Sequence, residues 1–209
     1  MSHNRIEPSS KVISQVVEAR KLSKAPREPK RRNAPKTKAR ILMAAQQAFS
    51  ELGYSQAGIR EIAAIAGISS PMLLRYFGSK AGLFEAALTE ATRLERIFEQ
   101  GREGFGEHLT RLLLDVDLDI KAPAMVALST GDPEARAIAT RVTQEHVIAP
   151  LAQWLGPPEA HARAVQITMI CMGFVTYTRQ HPLTQGAKGV DKKLAKWLAQ
   201  ALQAIVDQP

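Results

Sequence analysis

From residue 37 onward, apolar side chains return every three or four positions, the period of amphipathic helices. Residues 37–52 set Ile41, Leu42, Ala45, Ala48, Phe49 and Leu52 on one stripe, and Gly53 follows as the residue that ends the helix. Two short helices are predicted over 59–66 and 70–77. Ser79 then caps a longer one running through Leu83, Phe84, Ala87, Leu88, Ala91 and Leu94. Gly101, Gly104 and Gly106 mark a break, beyond which helices are predicted near 107–118, 123–130, 133–154, 158–179 and 190–206. Pro150 lies inside the 133–154 segment and is expected to kink or split it. No stretch alternates with period two between turn signals, and no repeat occurs. The expected fold class is all-α.

Composition adds exclusions. The 209 residues are enough to bury a core without metal or disulfide staples, and 45% apolar with 23% charged residues is an ordinary globular balance. One cysteine, Cys171, excludes an intramolecular disulfide framework and fits a reducing compartment. The apolar run at 165–177 is interrupted by Gln166 and Thr168 and is too short for a membrane span, which needs ~18 residues. The first ten residues lack the apolar stretch of a secretory signal, so a cytoplasmic chain with no membrane partner is expected.

The charge is less ordinary: a formal +8, with a pI near 9.8. It is concentrated at one end. Residues 1–40 hold twelve Lys/Arg against three Glu, while the remaining 169 hold sixteen basic against seventeen acidic groups. Within that arm Pro26, Pro29 and Pro35 interrupt helix, so residues 1–36 are expected to be a mobile, mostly disordered basic tail with room for a short helix over 12–22. Two readings of the tail stand: a solvated leader, or an arm that touches DNA phosphates.

The informative stretch runs from Arg60 to Phe77. Ala63 sits where two short helices approach, and Gly67 takes the positive φ of the turn between them. Ile62, Ala66, Ile68, Leu73 and Tyr76 supply the buried contacts, while Ser69 or Ser70 caps the second helix with Pro71 in its first turn. An αα-hairpin also shows the Ala-x3-Gly pair. The added apolar positions and caps point to a helix-turn-helix, whose second helix enters a major groove. Ser70, Met72, Leu74 and Arg75 fall on or near the face away from Ile62 and Ala66; Arg75 suits guanine or phosphate and Met72 a thymine methyl. Ser69 and Ser70 suit phosphates or bases, and Lys80, in the first turn of the next helix, suits an anion. A solvated helix residue is the alternative reading of Arg75 and of Arg60.

Residues 37–88 resemble the DNA-binding domain of the TetR family of bacterial transcriptional regulators. The matching features are Ala48-Phe49-x3-Gly53-Tyr54, Ile59-Arg60-Glu61-Ile62-Ala63, Ala66-Gly67-Ile68-Ser69, Tyr76-Phe77-x-Ser79-Lys80 and Leu83-Phe84. The resemblance implies an N-terminal three-helix helix-turn-helix domain (37–82) followed by a larger helical ligand-binding and dimerisation domain (83–209). It further implies a homodimer joined through its last two helices, a near-palindromic double-stranded operator, and release by a small-molecule effector. By the same resemblance Lys80, Tyr76 and Arg60 are phosphate neighbours. Two positions depart from the family pattern: Gly58 stands where many members have Ser or Thr, and Leu74 where many have Tyr.

The C-terminal half offers candidates by composition alone. A largely apolar effector pocket is expected between the middle helices and the 165–177 helix, with Met125, Leu128, Val142, His146, Met169, Met172 and Phe174 as its lining. Each is open to a second reading, the methionines as ordinary core and His146 as a satisfied buried histidine. Leu194, Trp197, Leu198, Ala201, Leu202 and Ile205 share one face of the last helix, either intramolecular core or the seam with a partner. An enzyme is not expected. His3, His108, His146, His161 and His181 form no metal-spaced cluster, Cys171 lies in an apolar run, and no phosphate-cradling loop or nucleophile elbow occurs. Asp115, Asp117 and Asp119 alternate without the glycine and later Glu of a calcium loop. No metal and no cofactor is called for. A non-specific or architectural DNA-binding protein without an effector remains the alternative, and a membrane-surface module tethered by the arm a third.

Overall fold

The computed structural model describes residues 34–93, 95–181, 183 and 190–208. Residues 1–33 of the expected tail, with its short helix at 12–22, lie outside the described residues, as does Leu94, whereas residues 34–36, expected in the tail, are already helical. Among the described residues every regular element is helical. In chain order they are α1 (Ala34–Gln56), α2 (Ile59–Ile65), α3 (Ser70–Phe77), α4 (Lys80–Ala91), a 3-10 turn (Glu95–Phe98), α5 (Phe105–Leu114), α6 (Ala122–Leu128), α7 (Pro133–Thr143), α8 (Ala149–Leu155), α9 (Ala160–Val175) and α10 (Lys192–Val206). Residues Lys38–Pro209 form one compact unit.

Helix α1 starts earlier than its stripe suggests, with Pro35 inside the helix at its second residue. There the missing N–H costs nothing, because first-turn donors have no intrahelical acceptor. Ile41, Leu42, Ala45, Ala48 and Phe49 are buried as expected, and Leu52 is exposed. Gly53, at φ 75°, breaks the helix, and the chain makes one more turn to Gln56.

Two cores divide the buried residues. The first joins α1–α4 to α6 and α7: Phe49, Ile62, Leu73, Phe84 and Leu88 pack with Met125, Ile138 and Val142. The second joins α5, α8, α9 and α10 through Phe105, Leu109, Leu151, Ile167, Leu198 and Leu202. The expected division at 82/83 falls within α4, whose Leu83, Phe84, Ala87 and Leu88 all belong to the first core.

Gly106 is not part of a break. It sits in the first turn of α5 against α10, where a Cβ would lie 2.2 Å from the Ala199 carbonyl oxygen. The absent side chain lets the two backbones touch. Pro150 does not split its segment either. It cannot donate to the His146 carbonyl, and the chain widens into a π-helical turn over Gln144–Ile148 before α8 begins with Pro150 in its first turn. A second π turn, Thr176–Gln180, follows α9.

Candidate DNA-binding surface and ligand cavity

The turn between α2 and α3 follows from local sequence. Gly67, at φ 63°, follows the C-cap Ala66; its N–H donates to the Ala64 carbonyl at 3.0 Å, and the Ile68 N–H to the Ala63 carbonyl at 3.0 Å. These are the paired bonds of a Schellman stop, which needs the left-handed residue that glycine supplies. Leu73 alone is fully buried on α3, with Ile68 and Tyr76 partly buried against the same core. That anchor leaves Ser69, Leu74 and Arg75 exposed and Ser70 and Met72 half-buried. Ser69 is the N-cap of α3, but its hydroxyl makes no capping bond there, and Gly58 likewise caps α2 without a side-chain bond. Arg60 is exposed on α2.

Ser79 caps α4, its Oγ accepting from the Gly82 N–H at 3.0 Å, which places Lys80 at the first helical position. Its ammonium is already engaged: it donates to the Ser55 carbonyl at 3.3 Å and lies 4.7 Å from the centroid of the Tyr54 ring. Tyr54 in turn packs on Phe49 and Phe84 and donates its hydroxyl to Glu134 Oε2 at 2.6 Å. Burial first, and the Glu134 carboxylate second, hold that phenol well above its usual pKa, so it remains a donor. Glu134 stands in the first turn of α7 behind its N-cap Asp132, and at the end of α6 the Leu128 side chain lies against Gly53. The corner between α6 and α7 thus rests directly on Gly53 and Tyr54. A second link is the two-pronged pair of Arg141 on α7 with Glu85 on α4, at 3.1 and 2.7 Å. The hydrogen bond from Arg141 holds the Glu85 carboxyl below its usual range. The folded-state pKa being the lower, this contribution is present at neutral pH and is lost as pH falls through that value. Tyr54 appears in the sequence motif, but its bond to Glu134, 80 residues away, has no local signal.

A cavity of about 250 Å³ lies between the end of α4, the 3-10 turn, α5, α6, the end of α7 and α9. Its walls are mostly apolar, with Leu109, Leu113, Val126, Val147, Ile167 and Met172 prominent. Of the seven residues expected to line it, Met172 alone does so. Met125 and Val142 are buried in the first core instead, because the inward faces of α6 and α7 pack on α4. Phe174 is buried in the second core, away from the cavity. Leu128 and Met169 are exposed, as is His146, which is therefore not a buried histidine. The π turn at 144–148 rotates that segment out of the phase of α7, so stripes extended through it point the wrong way. Cys171 faces the cavity, and burial in this apolar wall pushes its thiol up to about 12. Lining residues such as Thr92, Arg96 and Asp119 come from turns and helix ends, which carry no periodic signal.

The stripe on the last helix is mostly intramolecular. Leu198 and Leu202 are fully buried and Ile205 nearly so, on the face that packs α10 against α5. Each such side chain contributes about 1.5–3 kcal/mol of burial. Leu194 and Ala201 are half-buried, and Trp197, 53% exposed, points elsewhere. On α9 Met169 is 68% exposed, Gly173 has open space where a side chain would stand, and Tyr177 just beyond is exposed. Among the described residues no helix is long and apolar enough to cross a membrane.

Known proteins share this arrangement. The family model of bacterial regulatory proteins of the tetR family matches residues 41–87, and the tetracyclin repressor-like C-terminal domain matches residues 103–206. The HTH-type transcriptional repressor BdcR of Escherichia coli (strain K12) is 34% identical over 134 residues, 58% of this chain and 66% of that protein. The HTH-type transcriptional activator FasR of Mycolicibacterium smegmatis is 46% identical over 48 residues, 23% of this chain and 22% of that protein. The matched stretches thus span less than two thirds of either relative's length. In fold, the chain is similar to the fatty acid degradation regulator FadR from Bacillus halodurans, with a TM-score of 0.62 at 16% identity over 82% of this chain and 98% of that one. With both of its helical portions matched in order, the chain belongs to the TetR family of bacterial regulatory proteins.

Proposed function

We propose that the protein is a cytoplasmic, homodimeric transcriptional regulator that binds a near-palindromic operator and is released from it by a small molecule held in the cavity. The observation that carries this reading is α3: one buried anchor, Leu73, leaves Ser69, Ser70, Met72 and Arg75 available to base edges and phosphates. Arg60, Tyr76 and Lys80 flank that surface as phosphate contacts. A phosphate at the N-terminus of α4 meets free N–H groups and the Lys80 ammonium together. On this reading residues 37–82 read DNA, and residues 83–209 hold the effector and join the dimer through the last two helices. The exposed Met169, Gly173 and Tyr177 edge of α9 and Trp197 of α10 support that seam.

Release follows from the corner resting on Gly53 and Tyr54. The cavity is walled by α6 and the end of α7, and the other ends of the same two helices meet Gly53 through Leu128 and Tyr54 through Glu134. An occupant that spreads α6 and α7 moves the residues against which Lys80 is held. A repressor is the simpler sign of regulation, since release of a bound dimer then switches transcription on. The relative named as a repressor supports it over the longer alignment.

Selection of bound DNA from a random pool at physiological salt tests the reading. The expected outcome is a palindrome with half-sites about one helical turn apart and discrimination of about 10³ or more over random DNA. Equal affinity for all sequences overturns it in favour of an architectural protein. The basic arm makes a separate prediction. Deleting residues 1–36 is expected to flatten the dependence of log K on log salt by about 0.9 for each phosphate that the arm neutralises. An unchanged slope in filter-binding titrations would leave those residues as a leader without a DNA role.

A further inference from the structure

Among the described residues the charges around the cavity do not cancel, and the remainder points to what fits there. Three charged residues line it: Arg93, Arg96 and Asp119. Arg93 pairs with Glu90 at 3.0 Å, and Asp119 pairs with Lys121 at 3.2 Å. Arg96 is exposed, and its guanidinium has no acidic or carbonyl partner among the described residues. Its backbone is nonetheless held: the His108 Nε2–H donates to the Arg96 carbonyl at 2.6 Å, tying the 3-10 turn to α5. The Arg179 guanidinium donates to the carbonyls of Leu113, Asp115 and Leu118 at 2.7–2.8 Å, fixing the opposite wall with its charge turned to peptide oxygens.

The polar groups deeper in the chamber are weak donors. Thr92 gives its hydroxyl proton to the Thr89 carbonyl at 3.0 Å, and Thr168 gives its own to the Ala164 carbonyl at 2.8 Å. Both therefore present lone pairs inward, and Thr143 adds one more neutral hydroxyl, together too little to solvate a charge. The chamber is apolar, with the exposed Arg96 the one cation at its rim that lacks a partner among the described residues. We propose that its ligand is a compact monocarboxylic acid with an unbranched or aromatic apolar body of about eight carbons. The carboxylate takes the Arg96 fork, a charge-assisted bidentate pair, and the body fills the space between α5 and α9. A cavity of about 250 Å³ suits a compact ligand of this kind. A dianion leaves one charge without a partner, and an amine is repelled by Arg96. Each methylene added up to the filled length tightens binding about fourfold.

This inference rests on the cavity being the effector site, and the test separates the two. Octanoate, octanol and octylamine are titrated calorimetrically into the full-length protein and into an Arg96→Gln variant at neutral pH. The expected result is that octanoate binds about tenfold more tightly than octanol, with octylamine weaker than both. The substitution should remove the octanoate advantage and leave octanol unchanged. Equal affinities for octanoate and octanol, an octanoate affinity unmoved in Arg96→Gln, or no binding of octanoate overturns the assignment. Release from the selected operator is measured in the same samples. Octanoate that binds through Arg96 without releasing DNA leaves the ligand assignment standing and defeats the effector reading.

Discussion

Replacing Arg163 with Met is expected to lower the melting temperature by about 10 °C. Arg163 is 2% exposed on α9, and its guanidinium donates to the carbonyls of Leu155, Gly156, Val206 and Gln208. Those oxygens belong to the C-terminal ends of α8 and α10, where carbonyls lack intrahelical donors and the helix dipoles are negative. Among the described residues a buried cation is thus balanced by peptide groups rather than by a carboxylate. Arg102 reinforces two of the four, donating to Leu155 at 2.8 Å and Val206 at 3.3 Å, so the substitution leaves chiefly Gly156 and Gln208 without a side-chain donor. Methionine keeps most of the volume and none of the donors. The loss is about 3 kcal/mol, and for a chain of this length each kcal/mol moves Tm by about 2–4 °C. Calorimetry decides it; a fall below about 2 °C would mean that Arg102 alone suffices to tie the two helix ends.

Gly106→Val is expected to disrupt the second core at a cost of about 3 kcal/mol or more. A Cβ there would stand 2.2 Å from the Ala199 carbonyl oxygen and 2.9 Å from Gln203 Cβ, so α5 and α10 must separate. Separation also breaks the bond from the Gly106 N–H to Gln203 Oε1 at 2.9 Å, and it unseats Leu198 and Leu202. Trp154 reports the change directly, because its ring lies 4.8 Å from that of Phe105, the residue beside Gly106. The expected readout is a red-shifted Trp emission and an earlier denaturant midpoint. Unchanged emission and midpoint would show that the two helices tolerate a wider spacing.

The helix-turn-helix is legible because its determinants are close together in the chain. Ala63, Gly67 and Ile68 close the turn through bonds spanning three to five residues, and the Ser79 cap reaches Gly82. Local bonds of this kind leave residue-type signatures, and helix periodicity does the same for Ile41 to Phe49. The cavity leaves no such trace. Met125 and Met169 look alike as pocket candidates, yet one is 1% and the other 68% exposed, because burial depends on which helix lies opposite. Periodicity also assumes constant winding, and the π turns at 144–148 and 176–180 violate it.

The helical class, the placement of α3 and the uneven charge are all written in the chain itself, since each depends on residues a few positions apart or on composition. Other roles exist only once the helices are packed. Gly106 becomes the seat of α10, Arg163 the collector of two helix ends, Tyr54 the bridge to Glu134, and Arg96 the charge at the cavity without a partner among the described residues. Each of these roles is set by partners distant in sequence or by the lack of one. Only packing brings such groups within hydrogen-bond reach or leaves one of them unmatched.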